Sequence, residues 1–134
     1  MLGAIHSENE RTRKPVLLKI APDLSLTDLD QIITTSEQNG VAGIIATNTT
    51  LDHSAIPRSL DRTGGLSGRP LREKSTEFIG AIRARSQLPI IASGGVCDAA
   101  SAREKLAAGA QLVQVYTGYI YRGPGLLREI VEGL

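Results

Sequence analysis

The sequence contains one cysteine, no tryptophan, three tyrosines and one phenylalanine among 134 residues. A single cysteine, Cys97, excludes an internal disulfide framework, and no second ligand lies at a spacing typical of a metal site. The 15 basic and 14 acidic residues nearly balance, which, with so few aromatic residues, argues against a nucleic-acid-binding surface. No apolar stretch approaches the ~20 residues of a membrane span, and residues 1–15 are too polar for a signal peptide. We therefore expect a cytoplasmic protein without a metal site.

Short apolar runs alternate along the chain with segments of helical periodicity. We predict strands at about 16–20, 43–47, 89–92 and 112–116. Helices are predicted to begin near Ser25, Pro70, Asp98 and Pro124, because Ser and Asp are common N-caps and Pro suits a first turn. This alternation predicts an α/β fold with right-handed crossovers and a parallel sheet. Four strand–helix units amount to about half of a (β/α)8 barrel, so either the sheet stays open or the chain is incomplete.

Apolar residues at helical spacing indicate which helix faces are buried. In the helix after Ser25 these residues are Leu26, Leu29, Ile32 and Ile33. In the helix after Pro70 they are Phe78, Ile79 and Ile82. The segment before the first strand resembles the end of an amphipathic helix. Leu2 and Ile5 would lie on its apolar side, and the charged run 11–14 would be its solvated end.

An open sheet of four parallel strands would have two unpaired edges and an apolar inner face. For this inner face we predict Ile44, Ile45, Ile90, Ile91, Val113 and Val115. Unpaired strand edges and large apolar patches both favour association with another chain. We therefore expect a homo-oligomer, or pairing with a separate N-terminal half.

Polar residues and glycines follow each predicted strand. They are Lys19 in the first unit, Thr47, Asn48 and Thr49 in the second, Gly94 and Gly95 in the third, and Tyr116, Thr117 and Gly118 in the fourth. Parallel α/β folds bind their ligands at these carboxyl ends of the strands. The connection 50–69 is too long for an ordinary βα loop, and loops of that length are usually functional. The sequence therefore predicts a ligand site formed by the strand ends and this loop.

The residue types at the strand ends suit a polar, anionic ligand. Lys19 is costly at the end of a buried strand unless it meets an anion, and the glycine pair lets backbone N–H groups and a helix end approach a phosphate. Simpler interpretations are a solvated lysine, an Asn–Thr turn and tight βα turns. His6 and His53 are interpreted as solvated surface histidines, and Cys97 as a small thiol without a catalytic role.

Five strings occur in order along the chain, namely KIAPDL, TNTT, GGLSGRPL, PIIASGGV and AGAQLVQVYTGYIYRGP. In this order and at this spacing they resemble the C-terminal half of the quinone-linked (class 2) dihydroorotate dehydrogenases, over nearly the whole chain from Lys14 onward. The resemblance implies a (β/α)8 TIM barrel that binds FMN at the top of its strands and oxidises dihydroorotate to orotate in pyrimidine biosynthesis. Residues 1–134 would be four parallel β/α units that form the C-terminal half of such a barrel.

The resemblance also implies roles for residues that match the family motifs. Those implied to contact FMN are Lys19, Thr47, Gly68, Gly94, Gly95, Tyr116 and Thr117. Asn48 and Thr49 are implied to bind the substrate. The family takes its general base, a serine, and several substrate-binding asparagines from its N-terminal half, which nothing in this chain matches. We therefore assign no catalytic residue and expect the chain to be inactive alone.

Electron transfer to quinone and membrane association belong to the full-length family, whose N-terminal membrane-associating helices have no match here. Two other interpretations stay open. One is the half-barrel of a different FMN- or phosphate-binding enzyme, which would not need Asn48 and Thr49 for a carboxylated pyrimidine. The other is a non-catalytic, truncated scaffold that binds nothing.

Overall fold

Four short parallel strands form one sheet in the order β1-β2-β3-β4. The computed structural model describes residues 1–10 and 12–134. The strands are β1 (Leu17–Ile20), β2 (Gly43–Ala46), β3 (Ile90–Ser93) and β4 (Leu112–Gln114). The helices are α1 (Leu2–Asn9), α2 (Leu26–Gln38), α3 (Arg72–Arg83), α4 (Ala99–Ala107), α5 (Thr117–Arg122) and α6 (Gly125–Glu132). The predicted alternation and parallel pairing are confirmed.

The two faces of the sheet differ because successive side chains of a strand point to opposite sides. On one face Ile20 is in register with Ala46, and Ala46 with Ala92. These residues are buried in the main core, which α2 and α3 cover. On the other face Lys19 is in register with Ile45. This face is open, and Leu112 at its edge is 61% exposed.

The predicted inner face is wrong for Ile44, Ile90, Val113 and Val115. Ile44 and Ile90 are fully buried in the main core, and Val113 packs against it. Val115 packs against a second cluster that includes Val96 and Leu126. The prediction assigned neighbouring residues of a strand to one face, which the pleat of a strand does not allow. Ile45 and Ile91 remain on the open face, where both are half-buried.

The helices begin at the predicted caps. Ser25 Oγ accepts a hydrogen bond from Asp28 N at 3.1 Å, and an Asp98 carboxylate oxygen accepts one from Ser101 N at 2.7 Å. Pro124 precedes α6, and Pro70 lies in a 3₁₀ turn, Arg69–Leu71, that leads into α3.

Most of the predicted helix stripes are buried as expected. Leu29 and Ile33 of α2 are buried, as are the three predicted residues of α3. Leu26, in the first turn of α2, is instead 56% exposed.

The two ends of the chain differ most from the sequence prediction. α1 is a helix, but it buries no residue and ends at Asn9. Arg13 and Lys14 are exposed as expected, whereas Arg11 lies outside the described residues. α5 was not predicted and follows β4 directly.

None of the helices in the described part of the chain is long and apolar enough to cross a bilayer.

β1 and β4 each have one neighbouring strand, so the sheet has two open edges. Beyond β4, α6 packs on α4 around a second apolar cluster of Val96, Ala102, Leu126 and Ile130, and α5 packs on α6. The open edges and the uncovered face are consistent with association with a second chain. Association stays a prediction.

Candidate functional site

The carboxyl ends of the four strands surround a pocket of about 220 Å³. Every residue predicted to bind a cofactor or substrate lines it, namely Lys19, Thr47, Asn48, Thr49, Gly68, Gly94, Gly95, Tyr116 and Thr117. Ser67, Leu71, Ser93, Val96 and Gln114 also line the pocket and were not singled out from the sequence. The structure thus brings the candidate residues together, and their individual roles stay predictions.

Thr47 lies at the floor of the pocket with one unsatisfied polar atom. It follows β2, is 2% exposed, and its backbone N–H donates to Ser93 O at 2.7 Å. Its Oγ1 is buried and has no hydrogen-bond partner among the described residues. Leaving a buried hydroxyl unpaired costs about 1 to 3 kcal/mol. A ligand that presents a polar atom here would remove that cost.

Lys19 extends from the open face of β1 into the same pocket. Its Nζ lies 3.5 Å from Gln114 Oε1 on β4, which is at the limit of a hydrogen bond. Among residues 1–10 and 12–134 no carboxylate forms an ion pair with it. The pocket therefore has a positive charge that is available to an anionic ligand.

Asn48 and Thr49 combine turn formation with groups directed to the pocket. The Asn48 backbone N–H donates to Ile20 O at 2.7 Å, and Asn48 Oδ1 accepts from Thr49 N at 3.0 Å. The prediction that Asn48 bonds to its own backbone segment in a turn is thus correct for its side-chain oxygen, Oδ1. The Asn48 amide NH₂ donates no hydrogen bond within the described residues. Two donor hydrogens therefore remain for a ligand.

The loop 50–69 closes against this segment. Thr50 and Leu66 exchange two backbone hydrogen bonds, of 3.1 and 2.8 Å. Gly65 lies so close to Thr49 that a Cβ at position 65 would be 2.0 Å from Thr49 Oγ1. At the far end of the loop, Ser67 Oγ lies 3.0 Å from Thr117 Oγ1 at the start of α5. The loop thus joins the second and fourth strand ends, which supports the prediction that it forms part of the site.

An ion-pair network, which we call the Asp23 network, anchors the segment after β2. Asp23 accepts hydrogen bonds from Thr50 Oγ1 at 2.5 Å, Leu51 N at 2.9 Å and Lys74 Nζ at 2.6 Å. Burial would raise the pKa of Asp23, but these bonds, chiefly that from Lys74, hold it below its ordinary value. Lys74 also lies 3.6 Å from Asp52. The sequence analysis missed this network, because its members are far apart in the chain.

The Gly94–Gly95 turn packs directly on the first turn of α3. Both glycines have positive φ, 108° and 74°. A Cβ on Gly95 would lie 2.4 Å from Arg72 Cα, so close packing alone requires a glycine there. The backbone N–H groups of Gly94 and Gly95 donate no hydrogen bond within the described residues. The tight-turn interpretation and the ligand interpretation are therefore compatible.

The helix end near this turn differs from the prediction. We expected the positive end of the following helix to face a phosphate, but Asp98 already caps α4 through Ser101. The carboxylate of Asp98 has a lowered pKa, chiefly because of its hydrogen bonds with Ser101. An anion in the pocket would rely on the N–H groups of the glycine turn, since a carboxylate occupies the helix end.

The prediction of a solvated surface histidine is wrong for His53. Its ring is half-buried; Nδ1 pairs with Asp61, and Nε2 lies 2.9 Å from Gly64 O. The hydrogen bond with Asp61 raises the pKa of His53 above its ordinary value. His6 is exposed, and Cys97 is a half-buried free thiol, both as expected. Within the described ranges, no three His, Cys, Asp or Glu side chains are grouped to hold a metal ion.

The sequence and the fold of the chain are similar to those of one enzyme family. Residues 3–134 match the family model described as Dihydroorotate dehydrogenase. The chain is 50% identical over 126 residues to the dihydroorotate dehydrogenase (quinone) of Gloeobacter violaceus, covering 92% of the chain and 36% of that relative. It is 49% identical over 132 residues to the protein of the same name from Cronobacter sakazakii, covering 96% of the chain and 39% of the relative. The chain thus spans well under half the length of these relatives.

The fold is similar to that of solved structures from Eimeria tenella. The structure of DHODH in complex with ferulenol superposes with a TM-score of 0.80 at 40% identity, over 88% of this chain and 32% of that chain. Ligand-free DHODH from the same organism gives a TM-score of 0.81 at 40% identity, over 88% and 34%. The four parallel β/α units are therefore a partial TIM-barrel-like arrangement, which confirms the fold prediction.

Proposed function

The chain belongs to the dihydroorotate dehydrogenase family, and from this premise we propose that its pocket binds FMN and the substrate pair dihydroorotate and orotate. The observation that supports this most is that the pocket collects all nine motif residues and that several polar groups in it are available to a ligand. Those groups are the Thr47 hydroxyl, the Lys19 ammonium and the N–H groups of the glycine turn. An oxidised flavin with a phosphate tail offers acceptors for all three, so the residues present fit the cofactor.

In this proposal the residues divide by the chemistry of the part they bind. The N–H groups of Gly94 and Gly95, with Thr117, would hold the phosphate. Thr47 and Lys19 would hold the polar edge of the ring, where the lysine charge favours the electron-rich reduced form. Bound FMN supplies the hydride acceptor. Gly68 and Tyr116 line the pocket and would limit the access of water.

Asn48 and Thr49 would orient the pyrimidine substrate. The free Asn48 amide is a donor for a carboxylate or a ring carbonyl, and its position is fixed by its own turn and by the Asp23 network. The Thr49 hydroxyl lies under Gly65 of the loop. Orientation of this kind lowers the barrier by fixing the reacting carbon near its acceptor.

The pocket lining within the described residues contains no carboxylate, imidazole or thiol that could remove a proton. We therefore propose that residues 1–134 act as the C-terminal half of an FMN-binding barrel. The base that removes the proton from dihydroorotate, and the elements that pass electrons to quinone, would come from outside this chain. On this proposal the isolated chain binds FMN weakly and does not turn over dihydroorotate. A half-barrel of another FMN enzyme would bind FMN equally but would not respond to orotate.

The FMN proposal is tested by titrating the isotope-labelled chain with FMN and following backbone amide shifts. We expect weak binding with the largest shifts at Gly94, Gly95 and Thr117. Replacing Lys19 with alanine should weaken FMN binding about 5- to 20-fold, as expected for the loss of one charge-assisted contact. Lys14→Ala is the matched control, because Lys14 is exposed and outside the pocket. Absence of FMN-dependent shifts at the glycine turn would exclude the proposal.

The substrate proposal is tested by adding orotate to the FMN-saturated chain. Asn48→Ala should lose about 1 to 3 kcal/mol of orotate binding, because a partly charge-assisted hydrogen bond is lost, while FMN affinity is unchanged. Asn39→Ala is the control, since the Asn39 side chain only donates to Thr35 O at the end of α2. Equal orotate affinity in wild type and Asn48→Ala would show that the segment is only a turn.

A further inference from the structure

Lys105 of α4 is a fully buried lysine that lies outside the pocket. Its exposure is 0%, and it does not line the pocket. Its ammonium donates to Arg72 O at 2.8 Å, to Thr76 Oγ1 at 2.6 Å and to Ser75 Oγ. A lysine ammonium has three donor hydrogens, so all three are used. Each acceptor is a neutral oxygen on the first turns of α3.

Burying this charge is costly, since no carboxylate pairs with Lys105 within the described ranges. Burial lowers the pKa of Lys105 to about 8; Glu104 opposes this effect and Arg72 adds to it. An apolar side chain of similar length would avoid that cost. The position of the ammonium suggests what the charge contributes.

Ser75 links Lys105 to the glycine turn of the pocket. Ser75 Oγ accepts from Lys105 and has two acceptors within reach, Gly94 O at 2.8 Å and Arg72 O at 3.1 Å. We assign its single hydrogen to Gly94 O, the shorter of the two contacts. The carbonyl of Gly94 and the N–H of Gly95 belong to one planar peptide unit and point in opposite directions. A carbonyl fixed toward Ser75 directs the Gly95 N–H away from Ser75, and Gly95 lines the pocket whereas Ser75 does not.

Packing supports the chain of hydrogen bonds from Lys105 through Ser75 to Gly94 O, which we call the relay. Gly95 lies against the Arg72 backbone, and a Cβ on Gly94 would lie 3.2 Å from Ser75 Cβ. The same ammonium that binds Ser75 also binds the carbonyl of Arg72. Lys105 therefore fixes both the surface on which the glycine turn rests and the hydrogen bond that orients its peptide.

We propose that Lys105 is a positioning residue for phosphate recognition, acting through Ser75 to orient the Gly94–Gly95 peptide toward the phosphate of the bound flavin. This inference rests on the proposed FMN site and adds a residue outside the pocket to it. It assigns the buried charge to a task that an apolar residue cannot perform. The ammonium polarises the Ser75 hydroxyl and so strengthens its bond to Gly94 O.

The test compares FMN with riboflavin, which has the same ring and no phosphate. Both are titrated into wild type, Ser75→Ala, Lys105→Met and Ser86→Ala, with the Gly95 amide shift as the reporter. Ser86 is the matched control, because it is a buried serine that donates to Glu37 Oε1 at 2.7 Å, away from the glycine turn. Ser75→Ala removes the hydrogen bonds of one hydroxyl and leaves the Lys105 side chain in place, so it serves as the test if Lys105→Met does not fold.

In wild type we expect FMN to bind more tightly than riboflavin. Ser75→Ala and Lys105→Met should lower FMN affinity about 3- to 10-fold, as for the loss of one oriented hydrogen bond, and change riboflavin affinity less than about 2-fold. Ser86→Ala should leave the ratio of the two affinities unchanged. A wild-type ratio of the two affinities kept in both Ser75→Ala and Lys105→Met would overturn the positioning role while the FMN site stands. Equal binding of FMN and riboflavin by wild type would remove the phosphate site, and the inference with it.

Discussion

Replacing Gly95 with alanine is expected to destabilise the fold by about 2 to 5 kcal/mol. Two costs add. A residue with a Cβ at φ of 74° loses about 1 to 2 kcal/mol, and the new methyl group would lie 2.4 Å from Arg72 Cα, an overlap that costs about 1 to 3 kcal/mol. Urea denaturation of both proteins measures the difference. Because domains are stable by only about 5 to 15 kcal/mol, this loss would be a large share of the total stability.

Gly40→Ala separates the two costs. Gly40 has φ of 65°, and a Cβ there would lie 3.6 Å from His6 Nδ1, which is ordinary contact. This control should lose about 1 to 2 kcal/mol, from the backbone conformation alone. If both variants lost the same stability, the packing of the glycine turn on α3 would not matter. The relay from Lys105 would then end at a glycine turn that packing on α3 does not hold in place.

The strands and helices could be predicted because local signals agree with the fold. Ser25 and Asp98 are strong caps, and the apolar spacing of α3 matches its buried face. α5 was missed because β4 stops at Gln114, two residues before the expected end of the strand. α5 also has no side-chain cap that would indicate its start.

The pocket could be predicted for a topological reason. Parallel strands bring their carboxyl ends to one edge, so residues that follow each strand must meet wherever they lie in the chain. The supporting residues could not be found this way. Lys105, Ser75 and Lys74 lie on helices, at positions where sequence indicates only a solvated or packed side chain. Their roles depend on contacts between elements, such as that of Lys105 with the start of α3.

His53 shows the same limitation at shorter range. Asp61 is eight residues away, at a spacing that matches neither a helix turn nor a metal motif, so no local pattern predicts that the two side chains pair. The two meet because the loop 50–69 folds back on itself between Thr50 and Leu66. The backbone path of a long irregular loop is set by such contacts rather than by local propensity.

Removing the Asp23 carboxylate is expected to loosen the substrate segment and to cost about 2 to 3 kcal/mol at pH 7. Asp23→Ala leaves the buried Thr50 hydroxyl, the Leu51 N–H and Lys74 without their shared acceptor. Hydrogen bonds to a charged group contribute about 1.5 to 3 kcal/mol, and the Asp23 side chain is still 27% exposed, which limits the sum. Orotate affinity of the FMN-saturated chain should fall as well, because Asn48 is held by the same segment.

The pH dependence of this difference identifies its origin. The pKa of Asp23 is lowered in the folded chain, so its contribution is fully present above the ordinary value of about 3.8 and is lost as pH falls through the lower folded value. The gap in unfolding free energy between wild type and Asp23→Ala should therefore be constant from pH 7 to about pH 5 and shrink below about pH 4. Asp30→Ala is the control, because Asp30 pairs with Arg85 on the surface and should cost under about 1 kcal/mol. A gap that stayed the same down to pH 2 would mean that the loss comes from packing and not from the ion pair.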